Sequence, residues 1–358
     1  MKLRDLDRRT VVAVIGALAL AGAIAGIAIV SLGLYNVSAR KEHWPGVGWA
    51  LHTTFENAVA LRSPDEVETP EDLDGPGMVA LGAGHYDTAC KECHGAPGVP
   101  RSATVRAMQP VPPRLDDVST KWTATELHWI VHNGVKMSGM PAWPAERRDD
   151  VWPVVAFLRA MGDMSADRYG TLTGGGAPPG RCAMCHGETG ASGNPHVPRL
   201  DILSETYIAQ SLRAYKSGAR DSGIMVQVMS RVSERAIPGF ALRYASIRPE
   251  GEEGDQGELF QAGRSLAYAR DGSDSVPSCR ACHGPWPEPL NPAFPSLAGQ
   301  GAPYLATQLR LWREGNRGGG PAAQLMFRAA HDLSDKEIEA LAAFYGALTP
   351  ARLNSVRD

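Results

Sequence analysis

Cys90-Lys-Glu-Cys93-His94-Gly95, Cys182-Ala-Met-Cys185-His186-Gly187 and Cys279-Arg-Ala-Cys282-His283-Gly284 decide the reading of this 358-residue chain. Together they use all six of its cysteines. Two thiols separated by two residues and followed at once by histidine form the pattern of c-type haem attachment. The thiols add across the porphyrin vinyl groups, and the histidine lands under the iron as its proximal ligand. Structural zinc would require four ligands per site, and no second Cys-x-x-Cys half lies near any copy. A thioredoxin-like pair requires a strand-to-helix setting, whereas these flanks are rich in glycine and proline. Simple disulfides would leave the histidine unexplained three times.

Working outward, the motifs recur at intervals of 92 and 97 residues. That spacing divides the chain into three units, 75–165, 166–249 and 250–358, each the size of a small domain. Aromatic content is 7%, low enough to suit units whose core is largely porphyrin. The formal net charge is −3, with acidic and basic residues interspersed, so no electrostatic footprint for nucleic acid exists.

Upstream, residues 11–34 are uncharged and rich in Ala, Ile, Val, Leu and Gly. About 20 apolar residues suffice to cross a bilayer. Lys2, Arg4, Arg8 and Arg9 precede the span and place the N-terminus in the cytoplasm by the positive-inside rule. Val37-Ser38-Ala39 would suit signal cleavage, but a signal's apolar region is about 7–15 residues, so an uncleaved anchor at 1–40 is expected. A linker, 41–74, follows. Trp44 and Trp49 then sit at headgroup level or against a partner.

Laying the second motif on the third at an offset of 97 exposes a duplication. Pro198-Arg-Leu200 meets Pro295-Ser-Leu297, and Tyr207, Leu212, Arg213, Gly218 and Arg220 meet Tyr304, Leu309, Arg310, Gly315 and Arg317. Unit 1 shares only the motif, a downstream Pro113-Arg-Leu115 and a methionine region. A metal-bound histidine usually donates its other ring N–H to a carbonyl or carboxylate, and the carbonyls of Pro113, Pro198 and Pro295 are expected to accept here.

The sixth ligand decides whether each iron carries electrons or opens for chemistry, since His/Met ligation raises the potential and closes the iron. Unit 1 offers Met137 and Met140. The proline after Met140 holds that loop extended, which selects Met140; His132 is an alternative. Unit 3 offers Met326, seven residues before Leu333, where the capping box Ser334-Asp-Lys-Glu337 opens a helix. In unit 2 the plain offset selects Met229. Matching Val232-Ser233 to Leu333-Ser334 instead gives an offset of 101, with four residues gained near Gly318-Gly-Gly-Pro321, and selects Met225.

Helices are expected over 78–88, 149–161, 258–269 and 336–348. Unit 2 has Gly174 to Gly180 before its motif and Pro238 in its closing helix, so its first helix is reduced or missing. The expected fold is all-α: one N-terminal transmembrane helix followed by three small haem domains.

Units 2 and 3 resemble the two-domain di-haem cytochromes c of the c-four type, through Cys-x-x-Cys-His-Gly, Pro-x-Leu, the run Tyr304, Gln308, Leu309, Gly315 and Arg317, and the methionine before Leu-Ser. Unit 1, with Lys136-Met-Ser-Gly-Met-Pro-Ala-Trp143, is similar to mono-haem domains of alcohol and aldehyde dehydrogenase cytochrome subunits. The resemblance implies three covalently bound haem c groups at Cys90/Cys93, Cys182/Cys185 and Cys279/Cys282, with axial pairs His94/Met140, His186/Met225 and His283/Met326. It implies an electron-transfer subunit without catalytic residues of its own, anchored in the bacterial inner membrane with its haem domains in the periplasm. Its partner would be a membrane-bound respiratory complex: a dehydrogenase, a quinol-oxidising complex or a terminal oxidase. Alternatives are a cytochrome subunit of a terminal oxidase and a haem enzyme with one open iron.

Overall fold

The computed structural model describes residues 7–63, 68–174, 181–268, 278–284, 291–320 and 322–350. Lys2, Arg4, Pro321 and residues 175–180 lie outside them. The described residues form helices joined by turns and loops, with isolated β-bridges between Ala96 and Val99, Val135 and Met140, and Arg220 and Gly318.

Helix α1 (Arg8–Ser31) contains no buried residue, and the mean hydropathy of its most apolar 18-residue stretch is 2.5. At 1.5 Å per residue its 24 residues extend about 36 Å, enough to cross the apolar layer. Part of the stretch expected as a linker is an 18-residue helix, α2 (Pro45–Arg62). Proline in its first turn pre-sets the helical φ. Val59 is fully buried, and Phe55 meets Trp122 edge-on at 5.5 Å, so α2 rests on unit 1.

Unit 1 contains α3 (Pro76–Ala89), α4 (Lys91–His94), the single turns α5 (Ala103–Arg106) and α6 (Val118–Lys121), α7 (Ala124–Asn133) and α8 (Trp152–Ala160), with α9 (Ala166–Leu172) at the start of unit 2 packed on it. Its core is the crossing of α3 and α8. A Cβ at Gly82 would run into the Pro153 carbonyl and the Phe157 side chain. The missing side chain lets the two backbones touch there. Around the crossing Tyr86, Val154, Val155 and Phe157 are buried, each apolar side chain contributing about 1.5–3 kcal/mol. Unit 3 repeats the device. Its α14 (Glu258–Tyr268) crosses α18 (Asp335–Ala347) at Gly263, where a Cβ would meet the Ala340 carbonyl and Phe344. Between them lie α15 (Cys279–His283), α16 (Ala302–Arg313) and α17 (Ala323–Ala330). The expected capping box is present at Ser334/Glu337, and a second opens α7 at Thr123/Glu126.

Unit 2 is built from α10 (Arg181–His186), α11 (Glu205–Ser217), α12 (Gly223–Met229) and α13 (Ile237–Ala245). Pro238 does not interrupt the closing helix as expected; it sits in the first turn of α13, where its missing N–H costs nothing. The helix before the unit 2 motif, α9, has only 7 residues and gives its Tyr169 to the unit 1 core, where the hydroxyl donates to Asp87 at 2.8 Å.

Candidate haem-binding sites

Each motif folds as one short helix, and its local geometry explains the glycine that follows. Gly95, Gly187 and Gly284 have φ of +73°, +76° and +74°, a conformation that costs a side-chain-bearing residue energy. The chain turns sharply after the histidine and returns alongside the motif, so that a Cβ at Gly95 would lie 2.9 Å from the Val99 carbonyl.

The histidines are fixed as expected. Nδ1 of His94 lies 2.9 Å from the Pro113 carbonyl, Nδ1 of His186 lies 2.9 Å from that of Pro198, and Nδ1 of His283 lies 2.9 Å from that of Pro295. A carbonyl can only accept, so Nδ1 donates and the lone pair falls on Nε2. Burial lowers the basicity of all three rings against the raising effect of that carbonyl bond. A neutral imidazole with a free Nε2 lone pair is the form that binds iron. None of the six cysteines is paired in a disulfide.

In unit 3 the methionine faces its histidine: Met326 Sδ is 3.4 Å from His283 Nε2. In unit 2 the register shift has a structural counterpart. Lys216 donates to the Val232 carbonyl at 2.6 Å, and Arg313, its equivalent at offset 97, donates to the Leu333 carbonyl at 3.0 Å. Val232 and Leu333 therefore correspond at offset 101, as do Met225 and Met326. Met229 corresponds to Ala330, and both are buried, at 2% and 0% exposure. Met229 packs with Tyr215 and Ile237, while Met225 is only partly buried. In unit 1, Met137 is exposed and Met140 partly buried, its carbonyl accepting from Val135 at 3.0 Å. Both ring nitrogens of His132 are buried without a hydrogen bond.

A cavity of about 1990 Å³ runs between units 2 and 3. Cys182, Cys185, His186, Met225, Cys279, Cys282, His283 and Met326 all line it. A pocket for one small molecule is typically about 300–1,000 Å³, so this one has room for two large prosthetic groups. Two thiols, an imidazole and a thioether per site are the donor set of haem c, not of zinc. The residues fit the group.

Contacts between units were not legible in advance. Arg220 donates to the Tyr304 hydroxyl at 3.1 Å, and Arg317 donates to the Tyr207 hydroxyl at 3.1 Å. Gln308 Oε1 accepts from both arginines, at 3.2 and 2.9 Å. Equivalent residues of the duplication thus exchange partners, as a local two-fold relation requires. Burial alone would raise the Tyr207 hydroxyl, but Arg317 and Arg220 outweigh it and bring it down to about 8. All four positions are equivalent pairs of the duplication at offset 97, and nothing in their spacing shows that they meet.

Residues 77–158 match the family described as cytochrome C oxidase, cbb3-type, subunit III. The chain is 33% identical over 189 residues to the thiosulfate dehydrogenase electron acceptor of Thiomonas intermedia, covering 51% of this chain and 86% of that protein. It is 30% identical over 177 residues to cytochrome c4 of Azotobacter vinelandii, covering 47% of this chain and 84% of that one. Reduced recombinant cytochrome c4 from Pseudomonas stutzeri is similar in structure, with 30% identity, a TM-score of 0.43 and coverage of 47% of this chain and 93% of that one. The chain belongs to the c-type cytochromes with covalently bound haem c, in the family of cytochrome c4 and the thiosulfate dehydrogenase electron acceptors.

Proposed function

We propose that this chain is a membrane-anchored tri-haem electron carrier with cytochrome domains at 75–165, 166–249 and 250–358. In this reading α1, within residues 1–40, spans the inner membrane and the three domains stand in the periplasm. Cys90/Cys93, Cys182/Cys185 and Cys279/Cys282 tether the haems, and His94/Met140, His186/Met225 and His283/Met326 are the axial pairs. When bound, the haem iron supplies a one-electron ferric/ferrous couple. The chain's residues position that couple, close its coordination and shield it from water. The observation that carries the reading is the repeated 2.9 Å contact between each motif histidine and a downstream proline carbonyl.

Electrons enter at the duplicated pair and leave from unit 1. Entry rests on the likeness, over about half the chain, to proteins named as thiosulfate dehydrogenase electron acceptors. Exit rests on the match of unit 1 to an oxidase subunit. The donor is then a periplasmic dehydrogenase and the acceptor a terminal oxidase. The test is to mix the purified oxidised protein with thiosulfate dehydrogenase and thiosulfate. Rapid reduction supports this donor; reduction only by a quinol-oxidising complex assigns a different one.

A further inference from the structure

Unit 2 presses directly on unit 1 at the elements that carry their methionines. Trp143 lies three residues beyond Met140 and is 8% exposed. Its indole packs on the His85 ring at 4.5 Å and against Gly223, where a Cβ would overlap indole Nε1. Ile224 packs into the unit 1 core, and Met225 is the next residue. A polar latch holds this register. The Asp150 carboxylate accepts from Ser222 at 2.9 Å and from the Ile224 N–H at 3.4 Å, and it pairs with Arg147 at 3.4 Å. The Arg147 N–H in turn donates to Asp221 at 2.9 Å.

The two motifs approach each other through α3. A Cβ at Gly84 would stand 3.1 Å from the Cys185 sulfur. Cys90, which caps the same helix, follows six residues later, about 9 Å along the axis at 1.5 Å per residue. On its other side unit 2 meets unit 3 through the exchanged arginines and tyrosines.

We propose that the Trp143–Gly223 contact is the electron-coupling seam between units 1 and 2, with unit 2 the relay between units 3 and 1. This rests on the tri-haem reading. With haems held at Cys182/Cys185 and Cys90/Cys93, each transfer across the seam would pass one electron from the first, which would be oxidised from ferrous to ferric, to the second, which would be reduced from ferric to ferrous. No bond breaks and no proton moves. Electron tunnelling falls off exponentially with distance and is slower across gaps than through packed atoms. An indole seated on a side-chain-free backbone gives a packed, gap-free route between the two ligand-bearing segments. Trp143 is therefore a positioning residue.

The test uses the full-length holoprotein carrying a ruthenium photo-donor on Lys136→Cys, an exposed unit 1 position. Haem content and midpoint potentials are measured first. A flash reduces unit 1, and redistribution of the electron is then timed. Trp143→Ala and Gly223→Ala, which disturb the contact from opposite sides, are expected to slow redistribution at least tenfold, with three haems and three unchanged potentials. Trp143→Phe should restore most of the rate. Unchanged rates in both alanine variants overturn the proposal. So do slower rates accompanied by shifted potentials, which would make Trp143 a packing residue only. Fewer than three haems in the unsubstituted protein would instead remove the reading on which the seam depends.

Discussion

Truncating Met225 and Met229 one at a time separates an iron ligand from a core residue four positions away. Met229 is 2% exposed and packs with Tyr215 and Ile237. Met→Ala at such a site costs about 2–5 kcal/mol. At about 4–8 °C per kcal/mol for a small domain, Met229→Ala should lower the melting of unit 2 by roughly 8–40 °C. Its haem should nevertheless keep its potential, because the ligand is intact. Met225 is partly buried, so its truncation removes less packing. It should act on the iron: one midpoint potential falls, and the reduced protein now binds carbon monoxide. Potentiometric titration with carbon monoxide difference spectra, alongside thermal melts, reads both effects. If Met229→Ala opens an iron while Met225→Ala leaves all potentials in place, the offset of 101 is the wrong alignment.

Gly263→Ala inserts a methyl where α14 touches the Ala340 carbonyl; overpacking of this kind costs about 1–3 kcal/mol, measurable as an earlier unit 3 transition in denaturant. Ser334→Ala removes the side-chain cap of α18 and should cost about 1 kcal/mol by the same assay. Acid should weaken unit 1. Burial brings His85 and His128 down to about 4 from the usual 6.5, so the unfolded chain takes up protons first. Their contribution is complete above pH 6.5 and is lost as pH falls toward 4, on the order of 3 kcal/mol for each ring. A unit 1 melting temperature that stays flat from pH 7 to 4.5 would contradict this.

The parts of the fold that were legible in sequence are those fixed by local spacing. Cys-x-x-Cys-His-Gly is a single turn of helix plus a left-handed glycine, and a proline carbonyl can be placed by counting residues to it. The capping boxes are equally local. What escaped depends on two distant segments meeting. Gly84 and Gly223 look like ordinary helix glycines until a thiol and an indole from another unit are found against them. Asp150 reads as one more charge near a helix start, yet it holds the seam between units 1 and 2. The helix Pro45–Arg62 lies within the stretch expected as linker, and its apolar residues do not form one stripe. Val59 and Phe55 seat it on unit 1. Pro238 reads as a breaker until the closing helix of unit 2 is found to begin beside it.

The central claim is that iron porphyrin is covalently held at each of the thiol pairs Cys90/Cys93, Cys182/Cys185 and Cys279/Cys282. Intact mass spectrometry of the denatured protein, paired with a haem assay per polypeptide, measures it directly. The account predicts a mass above that of the polypeptide by three haems and a stoichiometry of three. A bare-chain mass, or haem that dissociates on denaturation, would contradict it.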